Sequence, residues 1–405
     1  MNFWWILYTI DIVLFVPVTV TVLYLLVFSI TAIFWHRDTP SKAKQSRRFI
    51  VLIPAYQSDE IIMDTVNSAL GQTYTQRNFD VVVVSDHLKE MTNMRLAQMP
   101  ITLLTPNFVQ SSKVKSLQYG ILNLPQFKIY DAVVILDAGN VVEPEFLDQV
   151  NDAFESAGTK AIQCHRLARN NDSPVARLDA IFEEINNSIF RLGHLAVGLS
   201  SSLNSSGMVF DFQWFKQSIM KVRVSVGEDK ELESMLVHEG IYIDYFDNIH
   251  VYDIKTSKVK DFNDQRGRWT YTQLHSLLNN IRYLPSALMN SHYDHVDKII
   301  QWMLIPRTIM MGIIMVMSLV LPFIYLTLAI KWWAVAAIVL LAYSFATPDE
   351  LVDKNWDKDF LHAPLVTLGG LLNIFRAGRD EAGNRLDAFS HLINKFKPKK
   401  KWRKK

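Results

Sequence analysis

The chain of 405 residues contains a single cysteine, Cys164. A disulfide framework is therefore excluded, and so is a cysteine-rich metal site. One thiol suits a main domain held in a reducing compartment, and Cys164 reads as a small buried residue. Net charge is nearly missing too: 42 Lys and Arg oppose 40 Asp and Glu, leaving +2. No internal repeat is present, and low complexity is confined to the last residues. His194 and His238 lack metal-ligand spacing with one another. With 49% hydrophobic and 20% charged residues, the chain is too apolar to be disordered and too charged to be a bare membrane bundle. The length allows about two or three domains.

Charge is absent from two long runs. Ile12 to Trp35 gives 24 uncharged residues. At about 1.5 Å per residue these cross a hydrocarbon core of about 30 Å. A cleaved signal peptide is disfavoured, because no basic segment precedes the run and no small-residue cleavage site precedes Arg37. Thr308 to Ile330 is a second run, of 23 residues. Beyond Lys331, Trp332 to Thr347 is apolar but only 16 residues long, which fits a short span or a re-entrant segment. Trp4, Trp5, Trp332 and Trp333 suit interfacial positions.

The charges that are present are sorted along the chain. Arg37, Lys42, Lys44, Arg47 and Arg48 follow the first apolar run, offset only by Asp38. The last eleven residues hold eight Lys or Arg and no acid. Between these basic segments the chain is acidic. Beside apolar runs, basic segments favour anionic lipid over nucleic acid. The excess of positive charge puts the centre of the chain in the cytoplasm, and two later crossings return the basic tail to the same side. The expected layout is an N-terminal transmembrane helix at 1–36 and a cytoplasmic domain at 48–295. An interfacial segment and two transmembrane segments follow at 296–348, then an amphipathic cytoplasmic region and basic tail at 349–405. The compact length suits a bacterial inner membrane.

Within 48–295, short apolar runs alternate with helical spacing. Arg48 to Pro54, Phe79 to Val84, Ile101 to Leu104 and Ala132 to Leu136 read as strands. Asp59 to Leu70 and Ser111 to Leu122 read as helices. That alternation predicts a mostly parallel sheet covered on both faces. Ligands bind beyond the carboxyl ends of such strands, where Asp86 and Asp137 fall. Either acid alone could be a loop residue or a helix cap; two at sister positions favour a ligand. Asn204 to Phe210 places a Ser/Gly turn before a strand. Glu228 and Asp229 open a helix after Gly227, where acids also serve as ordinary caps. Ile241 to Tyr252 is strand-like. Gln265-Arg-Gly-Arg-Trp269 follows, with an interfacial Arg/Trp anchor as the plain reading. Lys230 reads as a solvated helix residue.

Taken in order, these motifs resemble the membrane-bound family-2 glycosyltransferases with a GT-A domain, the group of the cellulose, hyaluronan and chitin synthases. The matches are Asp86, Asp137, Glu228-Asp229, and Gln265 with Arg268 and Trp269. Ile53-Pro-Ala-Tyr-Gln57 and Lys113 to Gln118 match further family segments, with Gln57 where Asn is usual. The likeness covers roughly residues 48–345. It implies a Rossmann-like GT-A domain flanked by transmembrane helices, and an inverting hexosyltransferase fed by a nucleotide diphosphate-sugar, a UDP-sugar first. It implies that Asp86 binds the base, framed by Ala55 and Tyr56, and that Asp137 sits near ribose and diphosphate. Asp229 becomes the general base, with Glu228 beside it. Gln265, Arg268 and Trp269 line the junction of diphosphate and acceptor, and Lys113 or a metal offsets donor charge.

The sequence departs from the family at one point. The family's Asp-x-Asp reads Asp137-Ala-Gly139-Asn140. Mg²⁺ or Mn²⁺ needs oxygen ligands, and Gly139 has no side chain. Three readings stay open: Asp137 with ligand oxygens holds the metal, Asn140 substitutes as a ligand, or metal-dependent transfer is lost. The acceptor is expected to be a growing polysaccharide of the cell envelope, with a lipid-linked sugar as the alternative. A catalytically reduced scaffold working with envelope-assembly subunits is the remaining one.

Overall fold

The computed structural model describes residues 3–348 apart from positions 36, 38, 126 and 225, together with 351, 378–379 and 385–386. The amphipathic region and basic tail expected at 349–405 otherwise lie outside the described residues.

An apolar helix, α1 (Phe3–Ile33), opens the chain, with Pro17 inside it. Strand β1 (Phe49–Tyr56) follows, buried along nearly its whole length. Helix α2 (Ile62–Leu70) leads to β2 (Phe79–Asp86). Then come α3 (Glu90–Leu96), β3 (Thr102–Leu104), α4 (Lys113–Leu122) and β4 (Ala132–Ile135). Strand β1 pairs in parallel with β2 and with β4, and β2 pairs in parallel with β3. Side chains of Phe49, Val51 and Ile53 pack to one face with Ile62 and Val66. Ile50 and Leu52 pack to the other with Val114 and Leu117. Each such fully buried side chain contributes about 1.5–3 kcal/mol. Both faces are therefore covered, as a run of consecutive apolar residues requires.

The second half turns the sheet mixed. Strand β5 (Val141–Val142) and helix α5 (Phe146–Ala157) precede β6 (Ala161–Ala168), which contains Cys164 within the strand. Helix α6 (Pro174–Asn187) runs through a π-helical turn into α7 (Gly193–Leu195). Strand β7 (Met208–Asp211) then pairs antiparallel with both β4 and β6. Strand β7 runs back along β6, with Met208 opposite Gln163 and Phe210 opposite Ala161. Only β7 and β5 are reversed, so the sheet is mixed but mostly parallel, as expected. Helices α8 (Phe212–Ile219) and α9 (Glu228–His238) lead to β8 (Ile243–Asp253), parallel to β6 and antiparallel to β5. The order across the sheet is β3-β2-β1-β4-β7-β6-β8-β5.

Helices follow up to Ala346: α10 (Val259–Asn280), α11 (Leu284–Met289), α12 (Tyr293–Met303), α13 (Arg307–Val320) and α14 (Leu326–Ala346). Helices α1 and α14 are each long and apolar enough to cross a membrane; α12 and the α13 segment, bent by 48°, make a third span only if taken as one. The uncharged run Thr308 to Ile330 is thus not one helix. It breaks after Val320 at a 3₁₀ turn, Leu321–Phe323, containing Pro322, because proline removes a helical donor and clashes with the preceding turn. Lys331 then falls inside α14. Its charge is met by Asp11 of α1, 1% exposed, which also accepts from Trp332 Nε1 at 2.8 Å. The Phe15 and Trp332 rings meet edge to face at 5.4 Å. Asp11, the lone acid of the first 35 residues, is what lets α14 carry a lysine.

Candidate functional site

A cavity of about 640 Å³ opens at the carboxyl ends of β1 and β4 and is bounded by α4, α9 and α10. Its wall includes Ala55 and Tyr56 from β1, Lys113 from α4, Asp137 after β4, Asn204 and Ser205 before β7, Glu228 and Asp229 from α9, and Gln265, Arg268 and Trp269 from α10. Asp86 stands one strand over, level with Tyr56 in the parallel register. It is fully buried, its Oδ1 accepts from His87 Nδ1 at 2.6 Å, and its Oδ2 has no partner among the described residues. A buried carboxylate oxygen left unpaired is costly, and Asp86 lies outside the cavity wall itself.

The turn after β4 is built by Asn140. Its Oδ1 accepts from the Asp137 N–H at 2.8 Å, and its Nδ2 donates to Asp253 at 3.0 Å. Asn140 is fully buried. The oxygen that a cation would need is therefore spent on the turn. Gly139 has φ +103, donates from its N–H to Thr65 Oγ1 at 2.7 Å, and a Cβ there would meet Ile61 Cδ1 at 3.0 Å. The glycine is a backbone requirement as well as a missing carboxylate.

Lys113 fills the centre. Its ammonium pairs with Asp137, lies 3.1 Å from Glu228 Oε1 and donates to the Ser205 carbonyl at 2.5 Å. The Glu228 contact is a charge pair without hydrogen-bond alignment. Burial alone would lower the Lys113 pKa, but the Asp137 and Glu228 carboxylates outweigh it and hold it above the ordinary lysine value. Among the described residues no group of three or more His, Cys, Asp or Glu could hold a metal. One carboxylate already paired with lysine, a committed amide and a glycine do not make a protein-only site for Mg²⁺ or Mn²⁺.

Helix α9 starts from Gly227 in the left-handed region, φ +86. A Cβ there would collide with Thr272 of α10 at 2.1 Å, so the close approach of the two helices needs glycine. Glu228 and Asp229 stand in the first turn, where the helix dipole favours negative charge. Burial, with Glu228 and Glu233 nearby, pushes the half-buried Asp229 up to about 6, against the lowering influence of Lys230 and Lys113.

Three residues had little or no signal in the sequence. Arg266 is buried, pairs with Asp179 and stacks 4.1 Å from the Trp269 ring, so it sets the ring beside Arg268. Burial lowers its pKa to about 10. Glu183 accepts from Asn204 Nδ2 at 2.7 Å and is ringed by Lys255 and Arg191 at 3.5 and 3.6 Å. Burial would raise its pKa, but Lys255, Arg166 and Arg191 hold it below the usual carboxylate range. It fixes the loop that offers the Ser205 carbonyl to Lys113; the Ser/Gly turn was the only hint. Lys230, expected to be solvated, instead donates to Glu233 at 2.8 Å and to the Leu203 carbonyl at 3.2 Å, and Glu233 lies 3.4 Å from the fully buried Lys298. The partners of Glu183 and Lys298 are distant in sequence, so no local pattern could reveal them.

Residues 46–272 match the model of the family described as glycosyltransferase like family 2. Among solved structures, the mannosyltransferase PcManGT from Pyrobaculum calidifontis, in complex with GDP-Man and Mn²⁺, is similar over 90% of this chain and 99% of its own, at 13% identity and TM-score 0.54. S. aureus TarS 1–349 overlaps 80% of this chain and 89% of its own, at 11% identity and TM-score 0.43. No curated protein is significantly similar in sequence. The family match spans every strand of the main sheet, and the PcManGT likeness shows the same GT-A fold. The chain belongs to glycosyltransferase like family 2 and is a glycosyltransferase.

Proposed function

We propose that the protein is an inverting glycosyltransferase that moves a sugar from a nucleotide diphosphate-sugar to a hydroxyl acceptor at a membrane. The observation that carries this reading is the cavity shared by Asp229, Lys113, Asp137, Gln265, Arg268 and Trp269. Asp86 serves the base, framed by Ala55 and Tyr56. Asp137 serves the ribose and diphosphate. Lys113 and Arg268 offset the negative charge that grows on the diphosphate as it leaves. Asp229 takes the proton from the acceptor hydroxyl while that oxygen attacks the anomeric carbon; the bond to the diphosphate breaks, and configuration inverts. A carboxylate with a pKa near 6 suits this duty near neutral pH. No step is assigned to a metal.

A UDP-sugar is the first donor to test. PcManGT holds GDP-Man, which keeps guanosine donors in the panel. Helix α1 and the paired α13 and α14 serve as membrane spans, with the catalytic domain on the side of the Arg37 to Arg48 segment. A growing polysaccharide and a lipid-linked saccharide both present suitable hydroxyls. The cavity reaches Leu25 of α1 and Thr308 of α13, which favours the second.

The test is nucleotide release by the full chain with a panel of UDP- and GDP-sugars, followed by the anomeric configuration of the product. A product of inverted configuration formed from one donor supports the reading. A retained configuration, or no nucleotide bound from any donor, sinks it.

A further inference from the structure

The cavity does not end at the catalytic carboxylates. It continues past Arg268 toward the apolar helices, where its wall includes Leu25, Phe182, Phe190, Leu304, Ile305 and Arg307. Five of these six are apolar. The sixth is an arginine that needs an explanation.

Arg307 donates from Nη1 to the Phe182 carbonyl at 3.1 Å and from Nη2 to Asn186 Oδ1 at 2.5 Å. Its guanidinium lies 5.4 Å from the Phe182 ring and 5.5 Å from the Tyr343 ring. These contacts hold it in place using two neutral acceptors. No carboxylate lies within ion-pair distance of it among the described residues. Five N–H donors are available on a guanidinium, so further donors remain after these two bonds. Nor does the charge stabilise its own helix. Arg307 is the first residue of α13, the end that favours negative charge. Arg307 is half-buried on the cavity wall, and partly desolvating a cation without an anion costs free energy. A fixed guanidinium with spare donors and no acid partner suits a phosphate.

Nearer the catalytic carboxylates, two further groups on the cavity wall are unmatched. Gln265 Oε1 is buried without a partner, and Arg268 makes no ion pair among the described residues. The wall therefore offers polar groups beside Asp229, then Arg307, then apolar side chains from α1 and α6.

We propose that the membrane-side end of this cavity is an acceptor subsite for a phosphate ester carried on an apolar chain, with Arg307 as the phosphate-binding residue. The inference rests on the transferase reading above and names its acceptor class. The apolar chain lies along Leu25, Phe190 and Ile305, the phosphate meets Arg307, and a hydroxyl of the sugar linked through that phosphate reaches toward Asp229. The same chemistry could come from the donor's diphosphate, and the experiment separates the two sources.

The full chain in nanodiscs is titrated with a fluorescent dodecyl phosphate, with the matching dodecyl alcohol, and separately with UDP and GDP. The wild type should bind the phosphate at least tenfold more tightly than the alcohol. Arg307→Gln should erase that preference while nucleotide affinity stays unchanged. Arg307→Lys should keep part of the preference, which shows that the site still folds. Equal binding of phosphate and alcohol by the wild type would overturn the proposal. So would a preference that survives in Arg307→Gln. A parallel loss of nucleotide affinity in Arg307→Gln would assign the arginine to the donor instead, and overturns the lipid source. Failure of the transferase reading would appear elsewhere, as absence of nucleotide binding by the wild type.

Discussion

Lys113 Nζ stands 3.1 Å from Glu228 Oε1 while pairing with Asp137. One cation thus joins the first turns of two helices, α4 and α9, to the turn that follows β4. Removing it leaves the buried Glu228 and the half-buried Asp137 carboxylates facing each other. Lys113→Met should lower nucleotide affinity by at least about tenfold, about 1.4 kcal/mol, and lower the melting temperature. Breaking a buried pair from one side costs about 3–5 kcal/mol. Calorimetric titration with nucleotide, set beside a melting curve, checks both. EDTA should weaken binding less than this substitution does, because the lysine is the cation that Asp137 holds. A variant that binds and melts like the wild type would remove Lys113 from the site.

Asp229 gives a prediction with a definite sign. Its folded pKa, about 6, lies above the ordinary carboxylate value of 3.8. A base must be ionised, so turnover should rise with pH through about 6 and level off above it. The same shift makes the folded state hold its proton more tightly than the unfolded chain does. Ionisation therefore costs stability above pH 6, and the cost fades as pH falls through 6. Asp229→Asn should lose about 10²–10⁴-fold in turnover, flatten the acidic limb of the pH profile, and melt at a higher temperature than wild type at pH 7.5. Turnover equal to wild type would transfer the base role to another residue.

Gly139 tests whether the departure from Asp-x-Asp is a simple deletion. Its φ of +103 and its contact distance to Ile61 make any side chain there strained. Gly139→Asp should cost about 1–3 kcal/mol without adding a Mn²⁺-dependent gain in turnover. Denaturant unfolding and assays with and without Mn²⁺ decide it; a metal-dependent gain in a stable variant would contradict this account.

Asp11 and Lys331 invite a double-mutant cycle. Each single change, Asp11→Leu or Lys331→Leu, strands one charge between α1 and α14 and should destabilise by about 3–5 kcal/mol. The double change should recover much of that loss in detergent unfolding. Additive losses would show that the pair is not coupled.

Trp269 depends on Arg266, whose guanidinium lies 4.1 Å from its ring. Arg266→Gln should free the ring and raise the KM for acceptor more than the KM for donor. Steady-state kinetics on both substrates measure it. Equal effects on both would make Arg266 a purely structural residue.

Much of the sheet was legible in the sequence. Phe49 to Ile53, Val81 to Val84 and Ala132 to Ile135 are consecutive apolar residues, and that pattern needs both faces covered wherever it occurs. The motif residues were legible because strand ends and helix starts are local features: Asp137 lies two residues past β4, and Glu228 follows a glycine. Direction was not local. β7 has the composition of any buried strand, and only its pairing with β4 and β6 shows that it runs antiparallel. The helix break was half visible, since Pro322 was in plain sight, but the length of the uncharged run hid it. Lys331 looked like the end of a span because its partner Asp11 is 320 positions away.

The sequence by itself determined which segments are apolar, which ends carry acids, and how basic charge brackets the chain, because those properties belong to single residues and their spacing. Tertiary structure alone decided which charges cancel. It paired Lys113 with Asp137 and Glu228, Lys331 with Asp11, and Lys298 with Glu233, and it spent the Asn140 oxygen on a turn. Among the described residues, it left Arg307 without an ion-pair partner at the apolar end of the cavity. Ion pairing depends on distances of a few ångströms between elements brought together only by folding, and a net charge of +2 carries no record of them.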